Sequence, residues 1–391
     1  MKIAYLEWKC FNGEATKTEM RKQDYEVLPF FHEGYNDPRS QEFVDYFLTF
    51  VKEKNPDVIF SYNFFPPVAE GAHQAGIPYV SVNYDSPYVY LYSYTMMYDT
   101  NRVYLFDSDW VRELNAGGLA NVFYTVLPGA PAVPDTGGAG YGCDLSFVGA
   151  LYNEEHNFYS RMEDKLRPYM KGYLEGLMKA QHLVYGSDII RPALTTEVLN
   201  ELHEALPLDP DQTCAEPPYY RFLTYVIDRK LTSNERIRYL SVLGDRFGKA
   251  YDLNLYTLDA NARFRGIRNR GIAEYNTVMP QVFSQSRINL NITLRSITSG
   301  IPQRCIDIMA NGGFLLSNYQ QDFFLDTLTD DGSAAFVPGV DYDYFSSEQE
   351  LVDKVSYYLE HEDERRQIAQ NGHDKVMKYY SLEKLLKRTL Q

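Results

Sequence analysis

The chain alternates short apolar runs with longer segments of helical periodicity, the pattern of parallel α/β proteins. In its first third, strands are expected at residues 3–6, 25–29, 57–62, 77–83, 103–107 and 122–127. Between them, 40–54 carries Phe43, Val44, Phe47, Leu48 and Val51 on one stripe, and 68–74 reads as a further helix. That spacing predicts a doubly wound sheet of about six strands, with functional loops at the strand C-terminal ends.

Residues 128–142 are dense in glycine and proline and read as an interdomain linker. Gly138, Gly140 and Gly142 precede a strand, whereas a phosphate loop follows one, so they do not read as a dinucleotide loop. A strand pattern resumes at 144–150. The stretch 158–249 then reads as helical, notably 169–181 and 233–247, before a strand at 253–256. Beyond it come a helix at 277–284, a strand at 287–292, a helix at 302–310, strands at 314–317 and 335–337, and helices at 347–360, 364–380 and 382–390. The expected fold class is therefore α/β, with two doubly wound, Rossmann-like domains facing a cleft and a helical insertion in the second. The expected domains are 1–135, then 141–375 with its insertion at about 158–249, then a C-terminal helical segment, 376–391, packing back on the first domain.

The 391 residues are enough for two domains. With 53 Asp and Glu against 38 Lys and Arg, the net charge is -15. That is the wrong sign for holding a phosphate backbone or an anionic membrane by charge, so nucleic acid is not an expected partner. No apolar run approaches the roughly 18 residues of a membrane span. Cys10, Cys143, Cys214 and Cys305 lie far apart and form no Cys-x-x-Cys pair, which points to neither a zinc site nor a disulfide framework. The apolar run at the N-terminus ends at Glu7, too short for the core of a signal peptide, and a cytoplasmic protein is expected.

The most informative stretch is 287–314. A buried strand ends in polar residues, Ser299-Gly300-Ile301-Pro302 turns into a helix, and Gly312-Gly313 closes that helix before the next strand. Amides at such a helix start point one way, at the positive end of the helix dipole, and suit an anion. Arg295 and Arg304 bracket the turn, and guanidinium forks there suit a diphosphate. Asp307, one turn into the helix, could accept hydrogen bonds from two vicinal sugar hydroxyls; equally, Arg304 and Asp307 have the i,i+3 spacing of a plain helix ion pair. Asn289 and Asn291 share one face of their strand, either as a polar cleft lining or as an internal hydrogen-bonded pair.

Ser299-Gly300-Ile301-Pro302, followed by Arg304 and by Asp307-Ile308-Met309-Ala310-Asn311-Gly312-Gly313, resembles the donor-site motif of GT-B glycosyltransferases. In the family 4 type, two glutamates flank a Gly-x-Pro turn; here Ser299 stands at the first position and Asp307 at the second. More closely, the motif is similar to that of CgeB-type spore-protein glycosyltransferases. Further matches are Ser146-Phe147-Val148-Gly149, Ala180-Gln181 with Val184-Tyr185-Gly186, Tyr275 with Met279-Pro280, Asn318-Tyr319-Gln320, and Tyr84-Asp85-Ser86-Pro87.

The resemblance implies the GT-B fold and transfer of a sugar from a nucleotide-diphosphate-sugar donor to an acceptor hydroxyl on a protein, glycan or small molecule. The nucleotide sugar would be a co-substrate, with no cofactor and no metal. The resemblance carries the ribose contact to Asp307, close backbone approach to the diphosphate to Gly149, the turn to Gly300, and the border of the nucleobase to Tyr275, which otherwise reads as one more core tyrosine. The role of the first glutamate does not carry to Ser299, although its hydroxyl could bond the donor. That departure leaves the stereochemistry open, and it leaves open a non-catalytic nucleotide-sugar- or glycan-binding relative.

Direct displacement needs a group that takes a proton from the acceptor. Asp85, at the end of the strand 77–83 and followed by Ser86-Pro87, is the first candidate, and its alternative role is to cap that turn. Glu7 and Glu14 are the others, while His32, His73 and His156 are scattered. No group of carboxylates and histidines has metal-ligand spacing, and arginines with helix amides would replace a cation behind the leaving diphosphate. Arg263, Arg265, Arg268 and Arg270 form either a local attractor for a diphosphate or a solvated loop. Tyrosines at 84, 88, 90, 92 and 94, among 34 in the chain, follow the candidate base and suit stacking on an acceptor sugar.

Overall fold

A computed structural model describes residues 1–131, 140–153, 157–210, 212–325 and 335–390. Most of the linker expected at 128–142, and His156, lie outside them. The chain divides into two compact units, one of Met1–Ala130, Pro210–Pro217 and Tyr380–Gln391, the other of Pro131–Asp209 and Pro218–Tyr379.

The first unit is built on six parallel strands, β1 (Lys2–Leu6), β2 (Glu26–Phe30), β3 (Val58–Tyr62), β4 (Tyr79–Val82), β5 (Asn101–Leu105) and β6 (Val122–Tyr124). Their order is β2-β1-β3-β4-β5-β6. Every residue of β3 and β4 is buried, as apolar runs covered by helices on both faces require. The helix Gln41–Lys54 starts where Ser40 accepts from the Phe43 amide (3.2 Å) and stops at Asn55, whose φ of 49° is left-handed. Its stripe of Phe43, Val44 and Phe47 packs toward the helix Pro66–Ala75. The helix Leu382–Leu390 joins this unit. Gly129 donates to the Tyr380 carbonyl (2.8 Å), and Leu385 and Leu386 are fully buried near the helix Gly13–Lys22.

The second unit has six more parallel strands, β7 (Cys143–Val148), β8 (Leu253–Tyr256), β9 (Ile267–Asn269), β10 (Ser286–Asn291), β11 (Leu315–Asn318) and β12 (Asp343–Phe345). They are ordered β12-β11-β10-β7-β8-β9, so β7 and β10 lie side by side at the centre. The insertion carries its own apolar core, from Tyr159 and Met162 to Val226 and Leu231. The helix Asp228–Phe247 gives Leu231 to that core and Tyr239, Leu240 and Leu243 to the core under the sheet.

Two expectations need correction. The insertion is not helical throughout, because Pro207, Pro210, Pro217 and Pro218 interrupt it, and the Ala215 amide instead bonds the Tyr92 carbonyl (3.0 Å) in the first unit. Residues 335–337 are not a strand. Phe336 is buried as a loop residue against Phe323 and Tyr342, and β12, seven residues on from Phe336 at its first residue, takes the edge beside β11.

Leu385→Ala removes a fully buried side chain from the C-terminal helix. It is expected to lower the stability of the first unit by about 2–5 kcal/mol, read from the urea midpoint at unchanged slope.

Candidate functional site

The C-terminal ends of β7 and β10 are tied together by one side chain. Arg236, 2% exposed, donates from Nη1 to the Ala150 carbonyl (2.5 Å) and from Nε and Nη2 to the Ile292 carbonyl (3.1 and 2.5 Å). Burial, against the pull of the Tyr152 phenol and aided by the nearby Arg304 charge, lowers it to about 10. Sequence reasoning missed this residue.

Arg304 lies on the first turn of the helix Gln303–Ala310, whose start at Pro302 has no side-chain cap. Its Nη1 donates to Asn291 Oδ1 (3.0 Å), and its guanidinium sits 5.6 Å from the centre of the Phe147 ring, with that of Arg236 at 5.3 Å. Among the described residues neither arginine is ion-paired with a carboxylate within 4.0 Å, and burial lowers the Arg304 pKa as well. The glycine at 149 follows from this packing. A Cβ there would stand 2.9 Å from Arg304 Nη2 and 3.3 Å from the Phe147 ring. The Gly149 amide pairs with the Tyr256 carbonyl (2.9 Å).

Asp307 is 6% exposed on the same helix. Its Oδ2 accepts from the Tyr275 hydroxyl (3.0 Å) and its Oδ1 from Gln303 Nε2 (2.7 Å). Burial raises it to about 7 despite these two donors and Arg304. Tyr275 and Asp307, expected separately, are thus in contact, and Tyr275 is a hydrogen-bond donor here. Gly312 closes the helix with a φ of 72°, in the left-handed region.

Five further candidates have other surroundings. Arg295 is consumed by Glu235, to which it donates from Nε (2.8 Å) and Nη2, with Nη1 on the Val184 carbonyl (3.0 Å) and the Tyr185 ring centre 4.2 Å away. Glu235 is 1% exposed, and the pair overrides burial in keeping Glu235 ionised and Arg295 charged. Arg295 therefore supports the turn and is not a free phosphate fork. Asn289 is an internal group, accepting from Ser146 (3.1 Å) and donating to the Phe283 carbonyl (2.9 Å). Asn291, two residues on, bonds Thr293 and Ser317 (2.9 Å each) and holds Arg304. Ser299 and Gly300 are buried in the turn, where the Ser299 carbonyl accepts from the Asp322 amide (3.0 Å).

The arginine loop is dispersed. Arg263 bonds the carbonyls of Ala260 and Ala262, Arg265 faces Asp245 (3.7 Å), Arg268 faces Asp252 (3.4 Å), and Arg270 bonds Asn254 (2.6 Å).

In the first unit Asp85 is exposed and its Oδ2 accepts from Asn63 Nδ2 (2.8 Å), while Asn63 Oδ1 takes the Tyr84 amide (2.9 Å). Glu7 and Glu14 both pair with Lys17 (2.5 and 2.7 Å). Among the described residues no group of three His, Cys, Asp or Glu could hold a metal ion, and no helix is long and apolar enough to cross a membrane.

Residues 229–391 match the family described as Glycosyl transferase-like, and no curated protein matches the chain. Solved structures resemble it over its whole length. An α-glucosyltransferase in complex with UDP and a 13-mer DNA containing an HMU base is 9% identical, with 100% of this chain and 98% of that one covered at a TM-score of 0.50. Sucrose-phosphate synthase from Thermosynechococcus elongatus is 10% identical, with 100% and 98% covered at 0.49. HepE from Anabaena in complex with UDP-glucose is 11% identical, with 100% and 99% covered at 0.48. The two six-stranded parallel sheets with flanking helices have the GT-B fold, and the matched family region contains Glu235, Arg236, Tyr275, Arg304 and Asp307.

Glu235→Gln would leave the Arg295 guanidinium buried without its counter-charge, and a loss of about 3–5 kcal/mol in urea unfolding is expected. Arg265→Gln, which breaks an exposed pair, is expected to cost under about 1 kcal/mol in the same measurement.

Proposed function

We propose that this chain is a glycosyltransferase that moves a sugar from a nucleotide-diphosphate-sugar donor, bound by the second unit, to an acceptor hydroxyl presented by the first. One observation carries the reading. A guanidinium without a carboxylate partner, Arg304, and a buried carboxylate, Asp307, stand three residues apart on one helix, beside a second uncompensated guanidinium at Arg236. Two like charges held together out of water suit an anion that neutralises both, and a nucleoside diphosphate supplies it. Asp307, one turn along, accepts from the ribose diol through lone pairs that Tyr275 and Gln303 leave open.

In the transfer step the bond between the anomeric carbon and the diphosphate oxygen breaks, and the leaving charge falls on Arg304, Arg236 and the uncapped helix start. The acceptor oxygen bonds to the anomeric carbon and loses its proton to Asp85, which Asn63 holds in place. Glu7 and Glu14 are less suited as bases, because each shares Lys17. The nucleotide sugar is a co-substrate, and the reading requires no cofactor and no metal. The finer kinship, to the CgeB-like spore-protein glycosyltransferases, rests on the Gly300-Ile301-Pro302 turn with Arg304 and Gly312-Gly313. A cytoplasmic setting suits the four free cysteines.

UDP is the first probe, since the α-glucosyltransferase neighbour was solved with it. Arg304→Ala is expected to weaken UDP binding in calorimetry by about tenfold to a hundredfold, and unchanged affinity would remove the diphosphate assignment. Because Asp307 sits at about 7, raised by burial, it is largely protonated below that pH and has lost acceptor capacity. Affinity is therefore expected to rise from pH 6 to pH 8, and Asp307→Asn to flatten the profile at the weak end. Asp85→Asn should abolish transfer while leaving UDP affinity intact. Binding without donor hydrolysis or transfer, across UDP-sugars and acceptors, would make the chain a binding protein instead.

A further inference from the structure

The acceptor edge of the first unit has a composition of its own. Strand order β2-β1-β3-β4 sets the loops that leave these strands next to one another. After β2 comes Phe31, after β1 Trp8 and Phe11, after β3 Asn63 to Phe65, and after β4 Tyr84 and Asp85. The rings form a linked band. Phe31 packs on Tyr35 with centroids 6.0 Å apart, and Tyr35 packs on Trp8 (6.5 Å) and Phe65 (5.1 Å). Trp8 donates from Nε1 to the Tyr62 carbonyl (2.9 Å), Tyr62 stacks on Tyr84 at 4.5 Å, and Tyr84 packs on Phe11 at 5.9 Å. Tyr84 also fixes the Phe11 loop by donating to its carbonyl (2.8 Å). Yet Phe11 and Phe31 remain 50% exposed at the two ends of this packed band.

We propose that this band is the acceptor subsite and that the acceptor it receives is a neutral saccharide, with pyranose rings lying on Phe11 and Phe31. The proposal rests on the transferase reading and narrows its acceptor class. Apolar ring faces alternate with Asp85, Asn63 and Glu7, and a sugar offers the matching surface, with C–H faces for the rings and hydroxyls for the carboxylates and amide. An aryl or lipid aglycone would cover the same rings but strip water from Asp85 and Glu7 without replacing it, which is costly. A polyanionic acceptor meets an edge where the three carboxylates of Glu7, Glu14 and Asp85 outnumber the ammonium groups of Lys17 and Lys9. Stacking beside Asp85 also brings a sugar hydroxyl to the group that takes its proton.

Trp8 reports on the site without turnover, because the chain has 2 tryptophans and Trp110 is removable as Trp110→Phe. In that single-tryptophan protein, cellobiose and maltose at millimolar concentration are expected to shift Trp8 emission saturably. Phe11→Ala and Phe31→Ala should each weaken the saccharide by about threefold to tenfold; both sites are half exposed, so folding is retained. UDP affinity should not move in either variant. Absence of any saccharide response, a response that survives both substitutions, or tighter binding of 1-naphthol than of either sugar would each overturn the proposal. Failure of UDP binding or donor hydrolysis would sink the transferase reading instead, since the Trp8 titration uses no donor.

Discussion

Arg236 carries a charge into the middle of the second unit and spends its hydrogen bonds on main-chain carbonyls. Taking a guanidinium from water costs several kcal/mol unless its donors are satisfied. Ala150 and Ile292 satisfy three of them, and each carbonyl belongs to the loop that leaves a central strand. The helix Asp228–Phe247 therefore fixes where β7 and β10 stop, and with them the path of the chain through Gly149 and into the turn before Arg304. Because the same helix is shared by the insertion core and the sheet core and itself carries Arg236, the insertion bears directly on the site.

The arginines nearby divide into two kinds. Arg295 meets Glu235, and both are spent on structure. Arg236 and Arg304 meet carbonyl, amide and ring, so their charge stays uncancelled. The depressed pKa of both follows from burial without a counter-ion, and Arg304 adds to the effect at Arg236. The structural arginine is given a carboxylate and the other two are not, which is the arrangement that the proposed anion site requires.

Much of the fold was legible because it rests on local patterns. The buried runs of β1, β3 and β4 and the leucine stripe of 382–390 show the period of their element directly. The edge strands β9 and β12 have three residues each, too few to show a period, and Phe336 is apolar because it is a buried loop residue. In the site, Arg304 and Asp307 were legible from the turn chemistry around them. Arg236 was not, since a helix reading Asp228-Arg229-Lys230 and Glu235-Arg236 looks solvated, and only the two cores packed on it bury Asp228, Glu235 and Arg236. Asn289 and Asn291 share a face and a residue type. What separates them is depth along the strand, where Asn289 meets Ser146 in the core and Asn291 reaches the edge that Arg304 occupies.

Both units are six-stranded parallel sheets, ordered differently, and they differ again in charge at the C-terminal edge of the sheet. Parallel strands with helices on both faces aim helix N-termini at their C-terminal edge, so either edge starts with a positive bias toward anions. The second unit strengthens that bias with Arg236 and Arg304. The first offsets it, since the carboxylates of Glu7, Glu14 and the exposed Asp85 outnumber Lys17 and Lys9. On the proposed reading a diphosphate would be refused at one edge and held at the other, a specificity built as much from the repulsive element as from the attractive one. On that reading the overall charge of -15 would act the same way at longer range, disfavouring polyanions, while the two buried guanidiniums suit an anion short enough to reach them.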